Sequence, residues 1–309
     1  MDLVRAWLIA LDPAAAPLAA DLAALAGRDP YAARDGAGGL AAAEWSFRDG
    51  SPSVRFAWNI DERRVRCDSV ATVLAHWGML PPALAALLPT LEGVHLQVGR
   101  DGPRAKLYVY ARGAPPGTLD RVEAALGLAE AFAALPAAPG GAPPAFLGVD
   151  LGGPGGAEMA AKRYVELSRE GAGVWLSELG GAGLAGRARG LPDDLGTGPA
   201  QVVVSVRVAA DGLRDVTLHA KVDRAPERLA ELAGPALAAE ASRRFRMAHR
   251  LGLVLRPTYV SWLEAGATTV GTVYHRLEEG VRPIAFESCR GSRPSARSLS
   301  GGDAVAPEK

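Results

Sequence analysis

Cysteine is scarce in this chain: Cys67 and Cys289 are the only two among 309 residues. Two cysteines cannot build the disulfide framework of a small secreted domain, and without a CxxC or Cys/His cluster they supply no metal-ligand set. They are expected to be reduced, which points to the cytoplasm. An excess of one charge is also missing, since Lys plus Arg and Asp plus Glu each number 34. A balanced chain has no long-range field with which to hold a polyanion, so neither nucleic acid nor a membrane surface is an expected partner. No apolar run approaches the roughly 18 residues that a membrane helix needs. The opening MDLVRAWLIALDPAAAP has a short apolar stretch and no clearly basic start, so it reads as the beginning of a domain and not as a signal peptide. GxSxG, HExxH and P-loop motifs are absent. So is DDxxD, because Asp193-Asp194 is followed by Leu-Gly-Thr.

What the chain does contain is an ordinary globular balance, with 49% apolar and 22% charged residues. Residues 291–309, GSRPSARSLSGGDAVAPEK, hold almost no large apolar side chains and are expected to form a disordered tail behind a single domain over 1–290. Five segments of that domain read as paired strands joined by tight turns: 44–60 turning at DGSP, 94–112 at RDGP, 146–168 at GGPGG, 201–223 at ADG and 258–277 at EAGA. Gly-containing turns between alternating runs are the usual hairpin signal. A helix-like stretch over 14–26 precedes the first hairpin, and others over 69–90, 119–135 and 224–251 separate hairpins, with Pro81-Pro82 interrupting 69–90. The Gly-rich 169–200 is the weakest helical stretch. Arg55, Lys106, Lys162, His219 and Thr272 occupy matching places on the return strands, 51, 56, 57 and 53 residues apart. A helical connection followed by a hairpin, repeated five times, predicts an α+β fold: a closed barrel of about ten antiparallel strands surrounded by helices. Closure removes exposed sheet edges and leaves a lumen wide enough for ligands. The competing arrangement is an open sheet, or two smaller sheets, with helices on one face.

Alternation sorts the strand residues into two faces. Val202, Val204, Val206 and Val208 share one face with Val216, Leu218, Ala220 and Val222; Ser205, Arg207, Thr217, His219 and Lys221 take the other. The polar faces of the hairpins together collect Arg55, Lys106, Tyr108, Tyr110, Lys162, Tyr164, His219, Lys221 and Tyr274. That set reads as cations and phenols without the acids of a mixed surface. Converging cations call for a polyanion, and lysine, arginine and tyrosine all donate hydrogen bonds to a diphosphate. Aromatic faces beside them would shield a carbocation. Arg163 falls on the opposite, apolar face beside Val165. Gly181–Gly186 spells GxGxxG, but no clear strand precedes it and no acid follows about 20 residues later, so nucleotide binding is not expected.

Two KxY motifs, Lys106-Leu107-Tyr108 and Lys162-Arg163-Tyr164, stand on the return strands of successive hairpins, and Glu44 lies eleven residues before Arg55. In these features the chain resembles the PT-barrel (ABBA) aromatic prenyltransferases, nearest the dimethylallyltryptophan synthase branch. The resemblance implies transfer of a dimethylallyl or longer prenyl group from its diphosphate to an aromatic acceptor, indole- or tryptophan-derived, by electrophilic aromatic substitution. Glu44 would act on the acceptor N–H. Arg55, Lys106, Lys162, His219 and Lys221 would bind the diphosphate, and Tyr108, Tyr164 and Tyr274 would shield the cation. No cofactor is implied, and Mg²⁺ is expected to be dispensable because side chains supply the positive charge. The chain departs from the family in carrying Ala160 where an arginine usually precedes the second KxY. It also carries His219 and Lys221 where glutamine and tyrosine are usual. The alternatives are a phenol, naphthalene or peptide side chain as acceptor, or a non-catalytic barrel that binds an anionic or hydrophobic ligand.

Overall fold

The computed structural model describes residues 44–48, 54–60, 71, 74–75, 78–91, 96–101, 104–152, 159–195, 202–222, 228–250, 253–265 and 268–279. The expected N-terminal helix over 14–26, the tail over 291–309, Cys67, Cys289 and residues 153–156 of the GGPGG turn lie outside these residues. For β2 and β3, and for all of β1 except Ser46 and Arg48, only the backbone is described.

All five hairpins form. Their strands are β1 (Glu44–Arg48), β2 (Val54–Ile60), β3 (Leu96–Asp101), β4 (Arg104–Tyr110), β5 (Pro144–Leu151), β6 (Ala160–Leu167), β7 (Val202–Ala209), β8 (Gly212–Lys221), β9 (Leu253–Ala265) and β10 (Thr268–Glu279). Each strand pairs antiparallel with its sequence neighbours, and β1 also pairs with β10, so the order β1-β10-β9-β8-β7-β6-β5-β4-β3-β2 closes on itself. The open-sheet arrangement is thereby set aside.

β9 begins five residues earlier than its hairpin pattern suggests and runs through Pro257. Proline cannot donate to a ladder. The register between β10 and β9 shifts at Tyr274/His275, opposite Pro257, which absorbs the missing donor. A second shift lies between Arg207 and Val208, where Asp215 and Leu213 are the partners and Arg214 is the extra residue.

The apolar strand faces point outward onto helices, as the valine alternation of β7 requires. The helices are α1 (Pro82–Leu87), α2 (Thr118–Ala125), α3 (Ala129–Ala133), α4 (Arg169–Glu178), α5 (Ala182–Arg189), α6 (Leu229–Ala233) and α7 (Pro235–Arg250). One core packs Leu107, Val109, Leu147 and Val149 against Leu84, Val122 and Phe132 of α1–α3. The other packs Val204, Val206, Leu218, Val260 and Trp262 against Trp175, Leu184 and Leu237 of α4, α5 and α7. None of the described helices is long and apolar enough to cross a membrane.

The Gly-rich 169–200 forms α4 and α5 in spite of its composition, because local devices compensate. Ser168 caps α4 by accepting the Gly171 N–H at 3.1 Å. At Gly173 a Cβ would lie 2.8 Å from Arg189 Nε, so the glycine makes room for that side chain, which donates to the Gly173 carbonyl. The first turn of α5 is met by Glu264 of β9, whose Oε1 accepts the Leu184 N–H at 2.8 Å. That carboxylate fills the helix terminus inside the GxGxxG stretch, where a phosphate would have to sit.

Candidate functional site

The polar strand residues face the lumen in two adjoining bands. The first is a chain of alternating charge. Lys106 Nζ lies 2.7 Å from Asp150 Oδ1, and the other Asp150 oxygen lies 3.0 Å from Arg207 Nε. Arg207 continues to Asp215 at 3.5 Å, and Asp215 lies 2.9 Å from Lys162 Nζ. Lys162 also donates to Thr217 Oγ1 at 3.3 Å. Ladder pairing builds this arrangement: Lys106 is opposite Asp150, Lys162 opposite Arg207, and Arg207 opposite Asp215. Ala160 and Ala209 stand in register beside Asp150, and their small side chains leave room for Arg207 to reach it.

The expectation of a cationic face without acids is corrected here. Asp150, Asp215 and Glu166 share the strand parity of the lumen residues, and each pairs with a cation that sequence reasoning singled out. Alternation could have found them, because Asp150 lies at even spacing from Phe146, and Asp215 at even spacing from Thr217 and His219.

The second band is aromatic. Phe146 stacks on Tyr164 with centroids 4.1 Å apart and on Tyr110 at 5.0 Å. Tyr108 tilts against Tyr164 at 6.4 Å, Tyr164 against His219 at 5.6 Å, and His219 against Tyr274 at 6.0 Å. Tyr259 closes this end, edge-on to Tyr274 at 6.5 Å. Phe146 and Tyr259 are further members of the band, found from their contacts. Gly148 sits between Tyr108 and Lys162 in the ladder. A Cβ there would come within 3.1 Å of both the Tyr108 and Tyr164 rings, so its hydrogen lets the two rings close over β5.

Burial sets the protonation states. Desolvation lowers the Lys162 amine from its usual value, with Lys106 adding repulsion, while Asp215 and Asp150 act in the opposite direction. Burial likewise opposes ionisation of Asp150, but Lys106, Arg207 and Lys162 outweigh it and hold the carboxyl below its ordinary range. Tyr164 is pushed well above its usual value by desolvation and remains a phenol. His219 is pushed down to about 3 by burial and by Lys162 and Lys106. It is therefore neutral near pH 7 and hydrogen-bonds Ser205 Oγ through Nε2 at 3.0 Å. Its expected place as a diphosphate ligand is narrowed to that of an uncharged ring in the aromatic band.

The structure brings Lys106, Lys162, Tyr108, Tyr164, His219 and Tyr274 to one lumen. Lys221 stands apart from them. It lies six residues beyond Asp215 on β8, on the order of 20 Å at a strand's ~3.3 Å rise, and it pairs with Glu166 at 2.7 Å instead of joining the charge chain. Arg55 is in register with Ser46, which is in register with Tyr274, and Glu44 is paired with Ala57 and Arg276. The Arg55 and Glu44 side chains are outside the described residues.

Arg163 is accounted for from the outer side. It holds Glu123 of α2 through two hydrogen bonds of 2.6 and 2.5 Å and lies 4.4 Å over the Phe132 ring. The residue between Lys162 and Tyr164 therefore anchors β6 to the helical layer.

No family model matches this chain, and none of the curated proteins matches it by sequence. Solved structures do match in fold. The apo form of prenyltransferase PriB superposes with a TM-score of 0.64 at 21% identity, over 91% of this chain and 97% of that one. PriB in a ternary complex with L-tryptophan and dimethylallyl thiolodiphosphate gives 0.63 at 20%, over 91% and 97%. The 5-dimethylallyltryptophan synthase from Streptomyces coelicolor gives 0.55 at 19%, over 76% and 81%. The resemblance to PT-barrel prenyltransferases drawn from two KxY motifs is thus met by a shared fold.

Proposed function

We infer that this barrel is an aromatic prenyltransferase, taking dimethylallyl diphosphate as donor and an indole-bearing molecule as acceptor. The observation that carries this reading is the contact between the two lumen bands. Lys106 and Lys162 each stand two residues from a tyrosine of the aromatic band, on strands held side by side through β5. A diphosphate on the cations would place its allylic carbon against the rings. The solved structures of similar fold include complexes with a dimethylallyl diphosphate analogue and tryptophan, which agrees with that donor and acceptor.

The reaction has three changes. The allylic C–O bond breaks and its electron pair leaves on the diphosphate, whose growing charge Lys106, Lys162 and Arg207 stabilise. The rings of Tyr108, Tyr164 and Tyr274 face the allyl cation and exclude water that would capture it as an alcohol. The aromatic carbon then forms the new C–C bond, and its proton passes to the departing diphosphate. Glu44 is the proposed acceptor of the indole N–H hydrogen bond, and Arg55 a further diphosphate ligand, both on the strength of the sequence motif.

The test is a mass-spectrometric screen of prenyl diphosphates against indoles, phenols, naphthalenes and indole-bearing peptides, with and without EDTA. The expected result is an acceptor gaining one prenyl unit with release of diphosphate, in EDTA as well as without it. Wild-type turnover in Lys106→Ala and Lys162→Ala would refute the site.

A further inference from the structure

The two aspartates of the charge chain have no part in the chemistry above, yet they occupy the contacts that a diphosphate would need. Each bridges two cations: Asp150 lies between Lys106 and Arg207, and Asp215 between Arg207 and Lys162. Three cations against two carboxylates leave the chain with one net positive charge. Cations this close would repel if left alone in a lumen, and the alternation removes every like-charged neighbour along the chain. Arg207 Nε is buried without an aligned hydrogen-bond acceptor among the described residues. Its contact with Asp150 at 3.0 Å is therefore an ion pair without hydrogen-bond alignment.

We propose that Asp150 and Asp215 are built-in counter-anions, positioning residues that hold Lys106, Arg207 and Lys162 until the donor arrives and give these cations up to the diphosphate when it binds. The inference rests on the diphosphate reading above and deepens it. Two consequences follow from charge alone. The cations are pre-oriented before the donor arrives, which lowers the cost of ordering them. The carboxylates then sit beside the bound anion and oppose it, so the released diphosphate is held less tightly than three cations would otherwise hold it. A site that must discharge diphosphate after every turnover gains from that opposition.

The experiment is calorimetric titration of the full-length protein with inorganic diphosphate at pH 6.5, comparing wild type with Asp150→Asn and Asp215→Asn. The amide keeps the shape, removes the charge and turns one N–H₂ toward a neighbouring cation, which frees that cation for the added anion. Each variant is expected to bind diphosphate about tenfold or more tightly than wild type, with the gain shrinking at high salt. Equal or weaker binding by folded variants overturns the counter-anion role and assigns the aspartates to scaffolding. A second measurement needs no variant. In wild-type protein carrying ¹³C-labelled aspartate, the Asp150 and Asp215 carboxyl resonances are expected to shift on saturation with diphosphate, while that of exposed Asp120 does not. Unmoved Asp150 and Asp215 signals at saturation overturn the exchange. Failure of wild type to bind diphosphate at all refutes the donor reading itself. Tight binding by the variants without prenyl transfer to any acceptor refutes the proposed reaction and leaves the counter-anions standing.

Discussion

Replacing Glu123 with glutamine tests whether the outer face of β6 holds its inner face in place. Glu123 is 2% exposed and Arg163 27%, and they share two short hydrogen bonds. The amide keeps one acceptor but turns its N–H₂ toward a guanidinium, setting donor against donor and leaving a mostly buried cation without a counter-charge. Breaking a buried pair from one side costs ~3–5 kcal/mol. The partial exposure of Arg163 and its stacking over Phe132 place the expected loss at the low end, about 3 kcal/mol. For a domain of this size that corresponds to a fall in Tm of roughly 6–12 °C. The double variant Glu123→Leu, Arg163→Met removes both charges and fills similar volume, so most of the loss is expected to return. Urea unfolding followed by circular dichroism measures both. A single-variant loss below ~1 kcal/mol, or a double variant no more stable than the single, would refute a stabilising buried pair. Neither replaced group faces the lumen, so the double variant is expected to keep wild-type diphosphate affinity.

Three further outcomes follow from the same geometry. His219 and His275 are each pushed down to about 3, by burial first and then by Lys162 and Lys106 in one case and Arg244 in the other. The unfolded chain takes up those protons near 6.5 and the native barrel does not. Stability must therefore fall as pH drops from 6.5 to 5, by up to ~1.4 kcal/mol per pH unit per histidine, and a flat profile in urea unfolding would contradict this. Lys162, lowered by burial and by Lys106, faces Asp215, Asp150 and Arg207 as well. Diphosphate binding is expected to weaken with rising pH before an ordinary lysine would lose its proton, and Asp215→Asn to move that alkaline limb lower still; an unmoved limb in the variant counts against the pairing. Gly148→Ala sets a Cβ 3.1 Å from both the Tyr108 and the Tyr164 ring and forces them to give way, at a cost of about 1–3 kcal/mol. Because it disturbs the aromatic band and not the charge chain, kcat should fall well before diphosphate affinity does.

The strands and their faces could be read from the sequence because a period of two leaves a mark on every residue. Val202 through Val208 announce the outer face of β7, and the residues between them must then look inward. Closure could be argued but not read, since the pairing of β1 with β10 joins segments more than 200 residues apart and carries no local signal. The helices after Ser168 were obscured for a different reason. Their glycines lower intrinsic helix propensity, and what restores it is tertiary: Arg189 lying against Gly173, and Glu264 arriving from β9 to meet the Leu184 N–H. The Lys221–Glu166 pair shows a further limit. Parity puts Lys221 on the lumen face with Lys162, but parity does not measure distance along a strand, and the register of β6–β8 is what separates them.

The two aspartates mark the step from faces to pairs. Both obey the alternation that selects the lysines, so their side of the sheet was legible; that each bridges two cations was not, because that depends on which rungs of neighbouring strands coincide. The bulge at Arg207/Val208 matters here, since it shifts the ladder by one residue and leaves Asp215, not Arg214, opposite Arg207. The same sequence paired without a bulge would set Arg214 opposite Arg207 and Asp215 opposite Val206, off the lumen face. The bulge, which leaves the composition of the strand unaltered, is therefore what brings Asp215 into the charge chain. Register, which composition does not record, is what converts a face rich in cations into a site with one net charge.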